Sequence, residues 1–164
     1  MKKNYMNRIE ALRQQCLATR VDMDVYNAKY MTEGFKDTEG QPWIIQKATG
    51  YKYECEREQI YIQDHELLVG GIGFKPRRGI LNPDSASGVI KAEAEAALAK
   101  LDDAVPGDLE KSFFYKSEIM VADAIIHLAY RHADLAETMA AECKDAKRKA
   151  ELLKIAEVCR WVPE

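Results

Sequence analysis

The chain has 164 residues, 47% apolar and 31% charged, with 24 basic against 27 acidic side chains and a formal charge of −3. A chain of this length buries about two-thirds of its unfolded surface, so a single domain over 1–164 needs neither disulfide nor metal to hold its core. The near balance of charge gives no electrostatic footprint for nucleic acid. Leu67 to Phe74 and Ile119 to Ala129 are too short or too interrupted to cross a bilayer, and Arg8 and Glu10 stand where a secretory leader would be apolar, so a cytoplasmic chain is expected.

Met6, Ile9, Leu12 and Cys16 step by three or four residues and predict a first amphipathic helix. A second is expected to begin near Asp22, whose side chain can cap free N–H groups, and to carry Val25, Ala28, Tyr30 and Met31 until Gly34 weakens it. Gly40 ends that pattern. Pro42 suits the first turn of a third helix, from Trp43 to about Glu58, with Ile44, Ala48, Tyr51 and Cys55 along one side.

The period changes at Gln59. Ile60 and Ile62 alternate with Tyr61 and Gln63, and Leu67 to Val69 follow a polar turn, which predicts a short two-stranded β element near 59–70. Residues 70–88 are rich in glycine, proline and serine and read as a connector joining 1–69 to 89–164.

From Val89 the alanine-rich sequence favours helix by propensity as well as by pattern, until Pro106-Gly107 breaks it. Asp108 can cap the longest helix, striped by Phe113, Met120, Ala124, Leu128, Leu135 and Met139. Asp145 can cap the last, with Leu152, Ile155, Cys159 and Val162 ending at Pro163. The expected class is mainly α, with about six helices in bundle-like packing.

Few residues suggest chemistry. Lys75, Arg77 and Arg78, set among glycines, could contact a small anion, although no Gly-Lys-Ser/Thr completes a phosphate loop and Pro76 removes a backbone donor. Asp123 and His127 share a helix face at a spacing that could ligate metal, but further ligands are missing and an ordinary hydrogen-bonded pair is the simpler reading. His132 and Asp134 give no better site. Cys16, Cys55, Cys143 and Cys159 contain no Cys-x-x-Cys pair and lie on or beside apolar stripes, where a thiol packs and does not react. Lys144, Lys147, Arg148 and Lys149 form a charged face opposite Glu142 and Glu151, expected to be solvated. No catalytic residue, cofactor site or metal site follows from these patterns.

Three stretches carry a resemblance. Tyr30-Met31-Thr32-Glu33-Gly34-Phe35 through Gly40-Gln41-Pro42 is the first, and Ile62-Gln63-Asp64-His65-Glu66-Leu67-Leu68-Val69-Gly70 with Lys75-Pro76-Arg77 is the second. The third runs from Gly88-Val89-Ile90-Lys91-Ala92-Glu93 through Phe114-Tyr115-Lys116 and Asp145-Ala146-Lys147-Arg148 to Val162-Pro163. In this order they resemble the N-terminal helical part of the glycyl radical enzymes of the pyruvate formate-lyase type, the family of glycerol and propanediol dehydratases and choline trimethylamine-lyase.

The resemblance implies anaerobic radical cleavage of a C–O, C–N or C–S bond in a full-length enzyme, by a thiyl cysteine and a glycyl radical in a sealed pocket. This sequence has no Gly-Cys-x-Glu loop, since Gln15, Glu54, Glu142 and Val158 precede its cysteines, and no Arg-Val-x-Gly motif. Family members also place a long helical segment between the equivalents of Asp84 and Gly88, where only Ser85-Ala86-Ser87 stand here. The expectation is a shortened, catalytically silent helical scaffold, partnered by the rest of a parent chain or by itself as a dimer, with neither nucleic acid nor membrane as partner. A stand-alone helical interaction module is the alternative.

Overall fold

The computed structural model describes residues 2–18, 26–70, 87–102 and 104–163. Among the described residues there are six helices: α1 (Lys2–Ala18), α2 (Tyr26–Asp37), α3 (Trp43–Arg57), α4 (Ser87–Leu98), α5 (Asp108–Glu142) and α6 (Ala146–Trp161). The start expected at Asp22 and the 70–88 connector, apart from its ends, lie outside the described residues.

Helix α5 is the spine. Its 35 residues extend about 52 Å at the usual rise per residue, and α3, α4 and α6 all pack on it while α2 packs on α3. Alanine makes this possible. Ala122, Ala124, Ala133, Ala136 and Ala140 are buried along α5, so neighbouring helices approach its backbone closely. Ala133, Ala136 and Ala140 meet Leu152, Ile155 and Ala156 of α6, with Ile62 closing the cluster. Further toward the N-terminus of α5, Ala124 and Leu128 enclose Cys55 of α3, flanked by Tyr51 and Ile60.

The helix ends follow local chemistry. Gly40 and Gly107 both adopt positive φ, at 85° and 89°, a conformation that costs glycine little. Gly107 is the N-cap of α5. Asp108, expected there, is instead the first helical residue, where its carboxylate accepts from Asp102 N at 3.3 Å and pairs with Lys111 at 2.7 Å. A negative charge in that first turn still favours the helix dipole. Asp145 caps α6 as expected, accepting from the Lys147 and Arg148 amides at 2.8 and 3.1 Å.

Gly34 does not weaken α2; it lets α2 cross α3. A Cβ at Gly34 would lie 2.4 Å from Gly50 Cα, and one at Gly50 would lie 2.8 Å from Met31 Sδ. Around this crossing Tyr30 Oη donates to Arg57 O at 3.3 Å, Tyr53 Oη donates to Asp37 at 3.0 Å, and Arg57 stacks 3.5 Å above the Tyr53 ring.

The two-stranded β element is not formed among the described residues. Ile60 makes a single isolated bridge, and from Tyr61 to Gly70 the chain is extended or turning without a strand. The alternation at Ile60 and Ile62 reflects burial against helices: Ile60 packs beside Cys55, and Ile62 drops between α5 and α6. A period of two is also what an extended segment shows when one of its sides lies on a helical surface.

The Gly34 crossing is open to test. Gly34→Ala gains about 1 kcal/mol of helix propensity, but the obstacle is Gly50 backbone, which no rotamer change relieves. Overpacking of this kind costs about 1–3 kcal/mol, and a net loss of stability is expected in urea denaturation. Unchanged or increased stability would mean the two helices are not in contact there.

Candidate functional site

The residues singled out for chemistry are not brought together. Lys75, Arg77 and Arg78 lie outside the described residues. Asp123 does not pair with His127; it takes Lys91 Nζ of α4 at 2.7 Å, and His127 is exposed. On the same helix Ala94 is buried against α5 while Ala92 and Ala96 face outward. His132 is buried on the opposite side of α5, its Nδ1 donating to Leu128 O at 2.9 Å. Asp134 pairs with Arg160 of α6 at 2.7 Å, and Glu137 joins the same guanidinium at 3.0 Å. Among the described residues no group of three or more His, Cys, Asp or Glu side chains could hold a metal ion.

What the structure does assemble is a pair of arginine forks around the segment 55–66. Arg131 of α5 donates through Nη1 to Cys55 O at 2.5 Å and through Nη2 to Glu58 O at 2.7 Å. The first is a carbonyl of the last turn of α3, which has no partner within its own helix, and the second belongs to the extended cap residue that follows it. Arg148 of α6 donates through Nη2 to Gln63 O and through Nη1 to Glu66 O, both at 2.7 Å. The turn between them closes with Glu66 N donating to Gln63 O at 3.1 Å and Gln63 N to the Glu66 carboxylate at 2.9 Å. A rigid guanidinium fork suits two carbonyls a turn apart, which a lysine ammonium does not match.

Arg148 is therefore not part of a solvated face. Lys144, Lys147 and Lys149 are exposed, whereas Arg148 is largely buried and shares Glu151 with Arg8 of α1. Arg8 Nη2 donates to both carboxylate oxygens of Glu151, at 2.8 and 2.7 Å. Burial pushes the Glu151 carboxyl up, but the hydrogen bonds and charges of Arg8 and Arg148 outweigh it and hold it below the usual glutamate range. Burial lowers the Arg131 pKa, yet a guanidinium stays charged in a protein.

Cys55 is fully buried next to Tyr51, and desolvation pushes its thiol up to about 12. The same burial raises the Tyr51 phenol. A thiol in this state is no nucleophile. Cys143 and Cys159 are partly buried free thiols, and burial raises Cys159. The pattern of the sequence did hold a signal for the forks. Arg131 lies three residues after Leu128 and four before Leu135, and Arg148 lies four before Leu152 and seven before Ile155, so each cation sits on a buried stripe. A cation at that spacing has to find buried acceptors.

Comparison with known proteins fits this scaffold. The pyruvate formate lyase-like family model matches residues 1–92 and 86–164, and the chain belongs to that family. The isethionate sulfite-lyase of Nitratidesulfovibrio vulgaris is 28% identical over 241 residues, covering 89% of this chain and 29% of the relative. The isethionate sulfite-lyase of Bilophila wadsworthia is 47% identical over 75 residues, covering 45% of this chain and 9% of the relative. The B12-independent glycerol dehydratase from Clostridium butyricum superposes with a TM-score of 0.83 at 24% identity, over 96% of this chain and 31% of that structure. The chain thus spans less than a third of the length of these relatives.

Two outcomes check this site. Because its folded pKa is depressed, Glu151 stabilises the fold above its unfolded value of about 4.3, and that contribution disappears as pH falls through the lower folded value. The stability gap between the wild type and Glu151→Gln, on the order of 1–3 kcal/mol at neutral pH, is expected to be flat above about pH 5 and to shrink below it; a gap that widens in acid would contradict the pairing. In the native protein at pH 8, iodoacetamide followed by peptide mass mapping is expected to leave Cys55 unmodified until urea unfolds the chain. Rapid native labelling of Cys55 would contradict its burial.

Proposed function

We propose that the chain is a helical scaffold segment of a glycyl radical lyase or dehydratase, cytoplasmic and catalytically silent by itself. The observation that carries this reading is the match of two stretches to one family model, which together run from residue 1 to residue 164. Its reducing compartment is supported by the free thiols of Cys55, Cys143 and Cys159. Silence is supported by the make-up of the 164 residues, which contain neither a Gly-Cys-x-Glu nor an Arg-Val-x-Gly sequence.

In this reading the forks of Arg131 and Arg148 are positioning groups. They fix the path of 58–66 over α5 and α6, and so the direction in which the chain leaves at Gly70. The substrate, whether diol, choline or sulfonate, is a property of the longer enzyme.

The test is direct. The purified chain, under anaerobic activation, is offered isethionate, glycerol, propane-1,2-diol and choline, and sulfite, aldehyde and trimethylamine are measured. No product above the protein-free control is expected, and sustained turnover of any of them would overturn the reading.

A further inference from the structure

The start of α4 and the residues just after α6 come together on α5. Lys91 of α4 pairs with Asp123, while Arg160 of α6 pairs with Asp134 and Glu137, so the start of α4 and the end of α6 converge on the middle of the spine. The Gly88 amide donates to Pro163 O at 2.8 Å and closes the seam. On both sides of it large apolar side chains are exposed: Val89 and Ile90 in the first turn of α4, and Val158 and Trp161 of α6 with Val162 just after it, at helical spacing. Trp161 is 77% exposed. A cluster of large apolar groups on one surface marks an interaction site far better than the same residues scattered singly.

The comparisons say what belongs there. The alignment with the Nitratidesulfovibrio vulgaris relative runs over 241 positions, more than the 164 residues of this chain, so it includes residues of the relative that have no counterpart here. The two family-model matches, 1–92 and 86–164, overlap at 86–92, where α4 begins. The missing residues therefore fall at the seam itself. Resting on the scaffold reading above, we infer that the surface formed by Val89, Ile90, Val158, Trp161 and Val162 is the docking site for the intervening segment of a longer family chain, bound through apolar side chains. Arg160, the cation of this turn, is already engaged by Asp134 and Glu137, so the contact is apolar and weakly sensitive to salt.

Trp161 reports on it. The sequence has two tryptophans, and Trp43→Phe leaves Trp161 as the only one. The stretch of the Nitratidesulfovibrio vulgaris enzyme that has no counterpart in this chain is added to this variant, and in parallel inserted between Ala86 and Ser87 of it. Trp161 emission is expected to shift to shorter wavelength and its acrylamide quenching to fall, equally at low and high salt. Ile90→Asp or Val162→Asp, both at exposed positions, is expected to weaken binding in trans by about tenfold or more, the worth of one buried aliphatic side chain.

Trp161 remaining open to quencher in both formats would overturn the inference. So would its protection in the chain alone as concentration rises, because the occupant would then be a second copy. Turnover by the chain would defeat the scaffold reading without changing this fluorescence, and an open Trp161 would defeat the docking surface without producing turnover.

Discussion

A backbone that leaves a helix and crosses two others must have its carbonyls satisfied, and in this chain two guanidinium groups do that work. Arg131 holds the carbonyls of Cys55 and Glu58, and Arg148 those of Gln63 and Glu66. Without them the last turn of α3 and the following segment would bury acceptors with no donor, at about 1–3 kcal/mol each. With them the segment needs no neighbouring strand. Ile62 is pinned into the α5–α6 interface, and Arg148 carries the network onward through Glu151 to Arg8, which ties α1 to α6.

The forks work only because the helices beneath them are close, and closeness comes from small residues. Alanines line the buried side of α5 and the Gly34–Gly50 pair does the same for α2 on α3. Small side chains contribute little apolar area of their own. They act by letting Leu128, Leu152 and Ile155 reach full burial and by letting an arginine on one helix reach the backbone of another segment. Both cations can therefore sit on buried stripes without an adjacent carboxylate in every case: Arg148 has Glu151, while Arg131 donates to two carbonyls.

Much of the helical framework was legible in the sequence, because helix periodicity, Gly40, Pro42 and Asp145 act locally. The β element was misjudged for a physical reason. Alternation at Ile60 and Ile62 reports one buried side, and a helical surface buries a side as well as a sheet does. Asp108 was misplaced by one position because Gly107 takes the left-handed conformation and serves as the cap. Gly34 and Arg148 were misread because their roles are tertiary: a glycine inside α2 looks weak until α3 crosses it, and a cation among lysines looks solvated until a carbonyl pair lies beneath it. The family resemblance, in contrast, was carried by ordered short stretches, and the family match over both parts of the chain agrees with it. The suspected anion loop at Lys75, Arg77 and Arg78 falls outside the described residues.

A short connection into α4 is physically cheap. α4 and α6 each bind α5 through contacts of their own, Lys91 to Asp123 and Arg160 to Asp134 and Glu137, so neither relies on the connection preceding α4. Loop-closure entropy grows only with the logarithm of length, so a shorter connection between Gly70 and Gly88 closes at no greater entropic cost than a longer one. Large apolar side chains stay exposed beside that connection, Val89 and Ile90 on α4 and Trp161 and Val162 at the end of α6. α5 is thus a spine on which α3, α4 and α6 each pack by contacts of their own, and the length of the connection into α4 is free to vary without disturbing them.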